Sequence, residues 1–377
     1  MTTKLDTYSL LEKIRSWARE LGFSQIGVAG VDLADAEAGL LAWLEQGFHG
    51  QMDYMQRHGL MRARPAELVP GTVSVLTARM DYLPPDTSAQ WQAQEWARQI
   101  DAQQAVVSVY ARGRDYHKVL RNRLQKLAMQ IQEEIGPLGH RVFTDSAPVL
   151  EAELAKRSGL GWRGKHTLVL SRDAGSMFFL GEIFLDIALP ETAATSAHCG
   201  QCSACIQACP TQAIVAPGQV DARLCISYLT IEYAGVIDTA LRPLIGNHLY
   251  GCDDCQLACP WNKFAKPAKL VDFQARASWQ KNDLLEFLGW SEAQFLRYTE
   301  GSPIRRIGFE RWQRNLAVVC GNALRQETLV YAHREVICRQ LHAWLADAQT
   351  SAVVREHIEW ALQQAPEPVC QAGVEEE

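Results

Sequence analysis

The chain has 377 residues, enough for two or three domains, and its apolar fraction of 47% is that of an ordinary globular protein. Its 43 acidic residues against 37 lysines and arginines give a net charge of -6, which offers no general support for nucleic-acid binding, although a mean can hide a local basic patch. The N-terminus lacks a basic region followed by an apolar run, and no stretch approaches the roughly 18 apolar residues of a membrane span, so we expect a cytoplasmic protein.

Helical and extended patterns alternate over the first 190 residues. Apolar spacing of three to four residues predicts helices at 10–21, 38–46 and 118–135. Short apolar runs predict strands at 24–30, 72–78, 141–145, 165–172 and 176–189. This alternation predicts an α/β domain.

Asp145 closes the strand predicted at 141–145. The following segment predicts a helix with Ser146 as its cap, Pro148 in its first turn and Gly159 beyond its last turn. Because ligands bind at the carboxyl edge of strands in α/β sheets, Asp145 is a candidate site residue. A helix-capping or solvent-exposed loop aspartate is the alternative.

Eight of the eleven cysteines form two runs, closed by Pro210 and Pro260. The first run is C-x2-C-x2-C-x3-C-P, and the second has its first cysteine far upstream. Bacterial two-cluster ferredoxins have this spacing, and their fourth cysteine ligates the other cluster. The spacing therefore assigns cluster one to Cys199, Cys202, Cys205 and Cys259. It assigns cluster two to Cys209, Cys225, Cys252 and Cys255.

Other uses of these cysteines are less well matched. Two zinc sites would need only separated C-x2-C pairs, and a disulfide framework suits short secreted chains. The pattern therefore favours two iron–sulfur clusters and a redox protein. Buried or inert thiols are expected for the three remaining cysteines, Cys320, Cys338 and Cys370.

The last third of the chain is predicted to be helical. Apolar stripes over 309–319, 329–347 and 352–364 suggest stacked helix pairs of the HEAT type, followed by a disordered tail. We therefore expect an α+β multidomain fold. Its parts are an N-terminal α/β domain (1–190), a two-cluster ferredoxin-like domain (191–266) and a HEAT-like helical domain with its tail (267–377).

Seven groups of segments together resemble the epoxyqueuosine reductase family, and the resemblance covers almost the whole chain. They are RARPAELVPG, YARGRDYHKVLRNRL, FTDSAPVLEAELAKRSGLGWRGKHTLVLS, the cluster runs, CISYLTIE, YGCDDCQLACPWN and SPIRRIGFERWQRNLAV. The resemblance implies an oxidoreductase that reduces epoxyqueuosine to queuosine in tRNA, the last step of queuosine biosynthesis. It also implies two [4Fe–4S] clusters, a cobalamin bound by the N-terminal domain and a kinship with reductive dehalogenases.

The resemblance implies that Asp145 is the proton donor, which agrees with the need to protonate a departing epoxide oxygen. Because an ordinary aspartate has a pKa of about 3.9, burial would have to raise the pKa of Asp145. The residues matching the family's cofactor pocket are Arg62, Tyr110, Asp145, Lys165, Ser171, Ser227, Cys252 and Asp253. Surface ion pairing is the alternative for Arg62, Lys165 and Asp253.

No histidine is expected on the cobalt. Asp115 and His117 begin a D-x-H-x-x-G lower-ligand pattern, but Leu120 stands where that pattern requires glycine. The resemblance further implies that an external electron donor loads one cluster, and that the cluster of Cys209 and Cys225 lies nearer the cobalamin.

A tRNA partner requires positive charge for its phosphates. The candidates are Arg305, Arg306, Arg311 and Arg314, with a solvated helix face as the alternative. A second set is Arg112, Arg114, Lys118 and Arg121. A monomer is expected.

Two rival functions stay open on the sequence. A reductive dehalogenase would share the clusters and corrin but act on a small organohalide, and such enzymes typically carry a twin-arginine leader, which this N-terminus lacks. A pure electron carrier would leave about 190 residues ahead of the clusters without a chemical role.

Overall fold

The computed structural model describes residues 6–366, so Cys370 and the tail predicted beyond Pro366 lie outside the described residues. In this range no helix has both the length and the apolar character needed to cross a bilayer.

The N-terminal part contains seven helices among the described residues: α1 Thr7–Glu20, α2 Ala34–Glu45, α3 Asp53–Arg57, α4 Pro65–Leu68, α5 Trp91–Ile100, α6 Tyr116–Ile135 and α7 Glu151–Arg157. Its strands are β1 Gln25–Ala29, β2 Ser74–Asp81, β3 Val106–Val107, β4 His140–Phe143, β5 Trp162–Arg163, β6 Val169–Leu170 and β7 Phe178–Leu185. Short 3-10 helices lie at Gly59–Ala63 and Val109–Ala111. The helices predicted at 10–21, 38–46 and 118–135 and the four strands of the central sheet are confirmed. Of the strand predicted at 165–172 only Val169–Leu170 forms a strand, and the helix after Asp145 begins later than predicted.

The central sheet has the order β1-β2-β7-β4, and each neighbouring pair is antiparallel. Its strand ends therefore alternate between the two edges, and the carboxyl-edge argument that singled out Asp145 does not hold. One face packs on α1 and α6 through an apolar core that includes Ile14, Leu124 and Ile183. Helix α7 covers the opposite face, on which Phe184 is buried.

The cluster region contains small elements: α8 Ala204–Ala208, β8 Ile214–Ala216, β9 Gln219–Val220, α9 Ile226–Ile231, α10 Arg242–Ile245, β10 His248–Tyr250 and α11 Asp254–Leu257. It also has 3-10 helices at Ala222–Leu224 and Pro260–Phe264. Strand β10 pairs in parallel with β3, which joins this region to the N-terminal part.

The C-terminal part is helical, as predicted. Its helices are α12 Ala277–Gln280, α13 Leu284–Leu288, α14 Glu292–Tyr298, α15 Gly308–Leu324, α16 Tyr331–Ala346 and α17 Ala352–Leu362, with 3-10 helices at Val271–Phe273 and Pro303–Ile307. An aromatic core holds them together, with Trp290 and Trp312 stacked at 5.5 Å between ring centroids. The same core takes in Ala105 and Val107 from the N-terminal part, so the chain's segments share cores across the predicted boundaries.

Candidate active site and cluster cavities

A cavity of about 1080 Å³ opens between α2, the segment after β4, strand β9 and Arg306. Asp145, His117, Glu151 and Arg62 are among the charged and titratable residues that line it. Pockets for drug-sized ligands usually measure about 300–1,000 Å³. The cavity is therefore large enough for a bulky ligand.

Asp145 lies on a loop, and not before a helix as predicted. Helix α7 begins at Glu151, with Leu150 at its N-cap position, so Ser146 is not its cap and Pro148 is not in its first turn. The backbone of Asp145 has a φ of +55°, a left-handed conformation that aspartate and asparagine tolerate better than most residues. Gly159 does lie beyond the last turn, with a φ of +74°.

The carboxylate of Asp145 accepts two side-chain hydrogen bonds. The Tyr116 hydroxyl donates one, and Nε2 of His117 lies 2.9 Å from the same oxygen. On the other side of the imidazole, Nδ1 of His117 lies 2.8 Å from Oδ1 of Asp115. The imidazole is thus held between two carboxylates at the cavity wall.

This arrangement determines whether Asp145 or His117 carries the proton between them. Burial alone would raise the pKa of Asp145, but hydrogen bonds from His117 and Tyr116 outweigh it and hold that pKa below its ordinary value. Burial lowers the pKa of His117, but Asp115 and Asp145 together outweigh it and raise that pKa to about 9. The expectation that burial raises the pKa of Asp145 is therefore wrong. At neutral pH Asp145 is a carboxylate and His117 is an imidazolium.

The four cysteines assigned to cluster one all line a second cavity, of about 430 Å³. They come from two distant parts of the chain, because Cys259 joins Cys199, Cys202 and Cys205. The indole Nε1 of Trp162 donates to Sγ of Cys199 at 3.4 Å. Cys202 is exposed, so this cavity lies at the surface.

The four cysteines assigned to cluster two also lie together. Burial raises the pKa of the Cys225 thiol, and nearby Cys209 adds to the rise. Burial raises the pKa of Cys252 well above its ordinary value, with Asp254, Cys255 and Cys225 adding to the rise. All four cysteines of this group are half-buried, and none is exposed as Cys202 is.

His248 lies beside the second cysteine group. Its Nε2 is 3.9 Å from Sγ of Cys252 and 3.1 Å from Oδ1 of Asp254. These three side chains could in principle bind a separate metal ion. Because Cys252 already belongs to a set of four thiols, a hydrogen bond from the imidazole to sulfur is the simpler reading.

Only two of the eight residues matched to the cofactor pocket, Arg62 and Asp145, line the large cavity. The Arg62 guanidinium is buried and donates to the carbonyl of Tyr54 at 2.7 Å. Lys165 instead lines the cavity of cluster one, where its Nζ donates to the Cys202 carbonyl at 2.9 Å. Neither Arg62 nor Lys165 forms a surface ion pair among the described residues.

The other matched residues lie outside the lining of the large cavity. The Ser171 hydroxyl donates to Asp173, and buried Asp253 accepts hydrogen bonds from the Ser108 hydroxyl at 2.5 Å and the Val109 N–H at 2.8 Å. Asp253 therefore anchors a neighbouring loop, and the surface ion-pair reading is wrong for it. The three remaining residues, Tyr110, Ser227 and Cys252, are half-buried.

The four candidate arginines differ in accessibility. Arg305 is exposed, and Arg306 lines the large cavity while pairing with Glu232 at 2.8 Å. Half-buried Arg311 donates to the Ile231 carbonyl at 2.8 Å. Arg314 is fully buried and binds backbone carbonyls, so its interpretation as a phosphate contact is wrong.

Three further expectations are settled by burial and pairing. Arg112, from the second set of arginines, is buried and pairs with Glu95 at 2.6 Å, so it is not available to a phosphate. Cys320 is a buried free thiol, as expected. Cys338 is disulfide-bonded, so the expectation of an inert thiol is wrong for it.

The sequence raises His117 only as a possible cobalt ligand and indicates no role for Tyr116 or Glu151. One signal was present: the triplet of Asp115, Tyr116 and His117 stands at a helix start, where an aspartate N-cap fixes the following side chains. Nothing local indicates that this helix start meets the loop of Asp145.

Comparison with known proteins gives consistent matches. The family model "Epoxyqueuosine reductase QueG, DUF1730" matches residues 62–146, and the model "4Fe-4S double cluster binding domain" matches residues 198–262. An epoxyqueuosine reductase of Alicycliphilus denitrificans is 67% identical over 94% of this chain and 98% of its own length.

Solved structures share the fold at lower identity. One is an epoxyqueuosine reductase with an epoxyqueuosine-modified stem loop of tyrosine tRNA (TM-score 0.78, 22% identity, 95% of this chain and 99% of that chain). Another is an epoxyqueuosine reductase of Bacillus subtilis whose catalytic aspartate loop is swung out of the active site (TM-score 0.77, 22% identity, 96% of this chain and 100% of that chain).

Proposed function

The chain belongs to the epoxyqueuosine reductase family, and on that premise we propose that its large cavity holds a cobalamin beside Asp145. The chain is an oxidoreductase that reduces epoxyqueuosine to queuosine in tRNA. Its cysteine-rich region is a double [4Fe–4S] domain. We assign the two clusters to the two groups of four cysteines described above. We also propose that the chain divides into three domains, with boundaries at about residues 190 and 266.

The shape and chemistry of the cavity suit such a cofactor. Its volume of about 1080 Å³ admits a ligand larger than a typical drug. Arg62 supplies a buried cation at its wall, and both ring nitrogens of His117 face carboxylates, which leaves neither for the cobalt. When bound, cobalamin supplies a strongly reducing cobalt centre. The protein's own residues position the substrate and manage the protons.

We propose that His117 and Asp145 act together as the proton donor. The reduction of an epoxide to an alkene takes up two electrons and two protons and releases water. His117 holds a proton at Nε2, 2.9 Å from Oδ2 of Asp145. When negative charge develops on the epoxide oxygen, Asp145 takes up the proton of His117 and passes it to that oxygen. The carbon–oxygen bond that breaks thereby leaves a hydroxyl group instead of an alkoxide.

The loop of Asp145 and the arginines near the large cavity are the features that would admit the RNA. The Bacillus subtilis enzyme has a catalytic aspartate loop that can swing out, and Asp145 lies on a comparable loop at residues 144–150. We propose that this loop moves when the modified base enters. Arg306 at the cavity wall and exposed Arg305 are the proposed phosphate contacts, with Arg311 beside them.

We propose that the external electron donor docks at the cavity of the first cysteine group, because exposed Cys202 places that cavity at the surface. Lys165, Lys263 and His198 line that cavity, and no carboxylate does. This lining suits an acidic one-electron carrier. We propose a cytoplasmic location, which a tRNA substrate and thiols available to ligate clusters would suit. We expect the protein to be a monomer.

The observation that carries the proposal is the Asp145–His117 pair at the wall of a large cavity in a chain with two four-cysteine groups. The test is anaerobic reconstitution with iron, sulfide and cobalamin, followed by assay on an epoxyqueuosine-containing stem loop. We expect both clusters and one corrin to bind and queuosine to form. Full cofactor loading without conversion would contradict the assignment of substrate. Zinc in place of iron and sulfide would contradict the cluster assignment.

A further inference from the structure

Glu182 is an acidic residue in the middle of the central sheet. It lies on β7, opposite Thr77 on one side and Phe143 on the other, and it is fully buried. Neither of its carboxylate oxygens meets a hydrogen-bond donor within residues 6–366. A lone carboxylate in such a place would cost several kcal/mol.

The neighbour that Glu182 faces is another carboxyl group, that of Glu151 at the start of α7. Glu151 lines the large cavity, and its Oε1 accepts a hydrogen bond from the backbone N–H of Asp145 at 2.5 Å. The other ionisable groups near the two glutamates are Asp145 on its loop, Tyr116 and His117 on α6, and Arg62. No salt bridge of the described residues includes either glutamate.

Two adjacent carboxyl groups, one fully buried and one half-buried, that form no salt bridge within the described range share at least one proton at neutral pH. Burial raises the pKa of Glu151 to about 8, and the charge of Asp145 adds to the rise. Burial also raises the pKa of Glu182 well above its ordinary value, with Glu151 adding to the rise. The glutamate pair is therefore a reservoir of protons connected to the cavity wall.

We propose that the Glu151–Glu182 pair supplies the second proton of the epoxide reduction, with Glu151 as its outlet into the cavity. This inference rests on the proposed function. Asp145 and His117 provide the first proton, and a large RNA substrate over the cavity limits access of bulk water to the reacting oxygen.

The atoms and electrons balance in two bond cleavages. The first carbon–oxygen bond breaks and the oxygen takes the proton that Asp145 receives from His117, which leaves a hydroxyl group on the neighbouring carbon. The second carbon–oxygen bond then breaks, the alkene forms, and the departing oxygen takes the proton of Glu151 and leaves as water. The two electrons are supplied, one at a time, by an external low-potential one-electron carrier. Glu182 then returns a proton to Glu151.

A purely structural carboxyl pair is the competing explanation, and it predicts different behaviour. Glu182→Gln keeps the size and hydrogen-bonding capacity of the side chain but removes its ionisable proton. Thr77→Val disturbs the opposite strand position without removing a carboxyl group and serves as the matched control. Both are compared with wild type as holoenzymes with measured iron and corrin content.

The first measurement is infrared spectroscopy in H2O and D2O near neutral pH. Wild type and Thr77→Val should show a protonated carboxyl band that shifts in D2O and that Glu182→Gln reduces. The second is single-turnover conversion of a modified stem loop by pre-reduced enzyme. Glu182→Gln should be slowed about 10²-fold or more with unchanged RNA affinity, since a general acid contributes roughly 10²–10⁴-fold.

A wild-type rate in Glu182→Gln, or a wild-type protein without the carboxyl band, would overturn the inference. If Glu182→Gln does not fold, Glu151→Gln at the cavity wall is judged on the same two measurements. Failure of wild-type holoenzyme to convert the stem loop would instead count against the proposed function, so the two failures are distinguishable.

Discussion

Replacing Asp115 with asparagine should lower the pKa of His117 by about one pH unit. The rise of this pKa from 6.5 to about 9 corresponds to about 3 kcal/mol of preference for the imidazolium. Asp115 and Asp145 contact opposite nitrogens of the ring at 2.8 and 2.9 Å and together also offset the opposing effect of burial, so each accounts for at least about half of that net preference. The loss of one carboxylate charge thus removes about 1.5 kcal/mol, close to a tenfold change in the proton equilibrium.

The substitution is a clean one. Asp115 is the N-cap of α6 and accepts the backbone N–H of His117 at 3.1 Å, and asparagine caps helices as well as aspartate does. Asp115 is not among the residues lining the large cavity. The matched control is Asp283→Asn, because Asp283 caps α13 by accepting from the Glu286 N–H.

The assay is a pH titration of histidine resonances in protein labelled with 15N-histidine, with the His117 signal assigned by its loss in His117→Gln. Wild type and Asp283→Asn should titrate near pH 9, and Asp115→Asn near pH 8. Titration of wild-type His117 near 6.5, or an Asp115→Asn signal unchanged from wild type, would refute the assignment of the proton to this imidazole.

The same shift has a signature in stability. Because the folded-state pKa of His117 is raised, its stabilising interaction is fully present below pH 6.5 and is lost as the pH rises through about 9. The free energy of unfolding should therefore differ most between wild type and Asp115→Asn near pH 6. The difference should shrink at pH values above 9.

Three further changes test other parts of the site. Asp145→Asn should keep both clusters, because asparagine tolerates the φ of +55°. It should lower the single-turnover rate by about 10²- to 10⁴-fold, because asparagine carries no ionisable proton. A wild-type rate would remove the donor role. Metal analysis should show that Cys259→Ala loses iron from cluster one. The control Cys320→Ala, at a buried free thiol, should retain all of its iron. Equal iron content in the two variants would contradict the ligand assignment. Arg314→Met should lower the free energy of unfolding by about 3 kcal/mol, because it leaves buried carbonyls without donors. Arg305→Met should change the free energy of unfolding by less than about 0.5 kcal/mol and should weaken RNA binding at low salt. The reverse pattern would restore Arg314 as an RNA contact.

The cysteine groups were predictable because their spacing is a local property with a chemical cause. Three thiols two residues apart can surround one cluster from a single loop, and the fourth must come from elsewhere. The structure accordingly brings Cys259 to the cavity of Cys199 across sixty residues of sequence. Apolar periodicity likewise predicted the helices α1, α2 and α6 and the strands of the central sheet, but not the helices α3, α4 and α5.

The loop of Asp145 shows where local rules fail. Ser146 and Pro148 are common residues in the first turn of a helix, and they predict a helix start there. In the structure a tertiary contact prevails, since the N–H of Asp145 donates to Glu151 and its carboxylate is held by Tyr116. The helix therefore begins only at Glu151.

Burial of charged residues was the other unpredictable feature. Periodicity places Arg314 off the apolar stripe of α15, yet the cluster region packs on that side and surrounds it with carbonyls of 229 and 233. Glu182 interrupts an apolar strand, which is a visible anomaly in the sequence. Its partner Glu151 lies thirty-one positions earlier, so the pairing becomes apparent only when α7 is packed on the sheet.

The charges of the site suit a reaction that adds electrons. At neutral pH the imidazolium of His117 balances Asp145, while the two glutamates share a proton and carry less charge than two free carboxylates would. The delivery of two electrons to this pocket adds negative charge, and that charge disfavours the transfer unless protons neutralise it. Protons already held within hydrogen-bonding distance of the cavity wall can move as the electrons arrive, so the net charge of the pocket changes little. Carboxyl groups with raised pKa values can hold such protons at neutral pH, whereas ordinary surface carboxylates, already ionised, cannot.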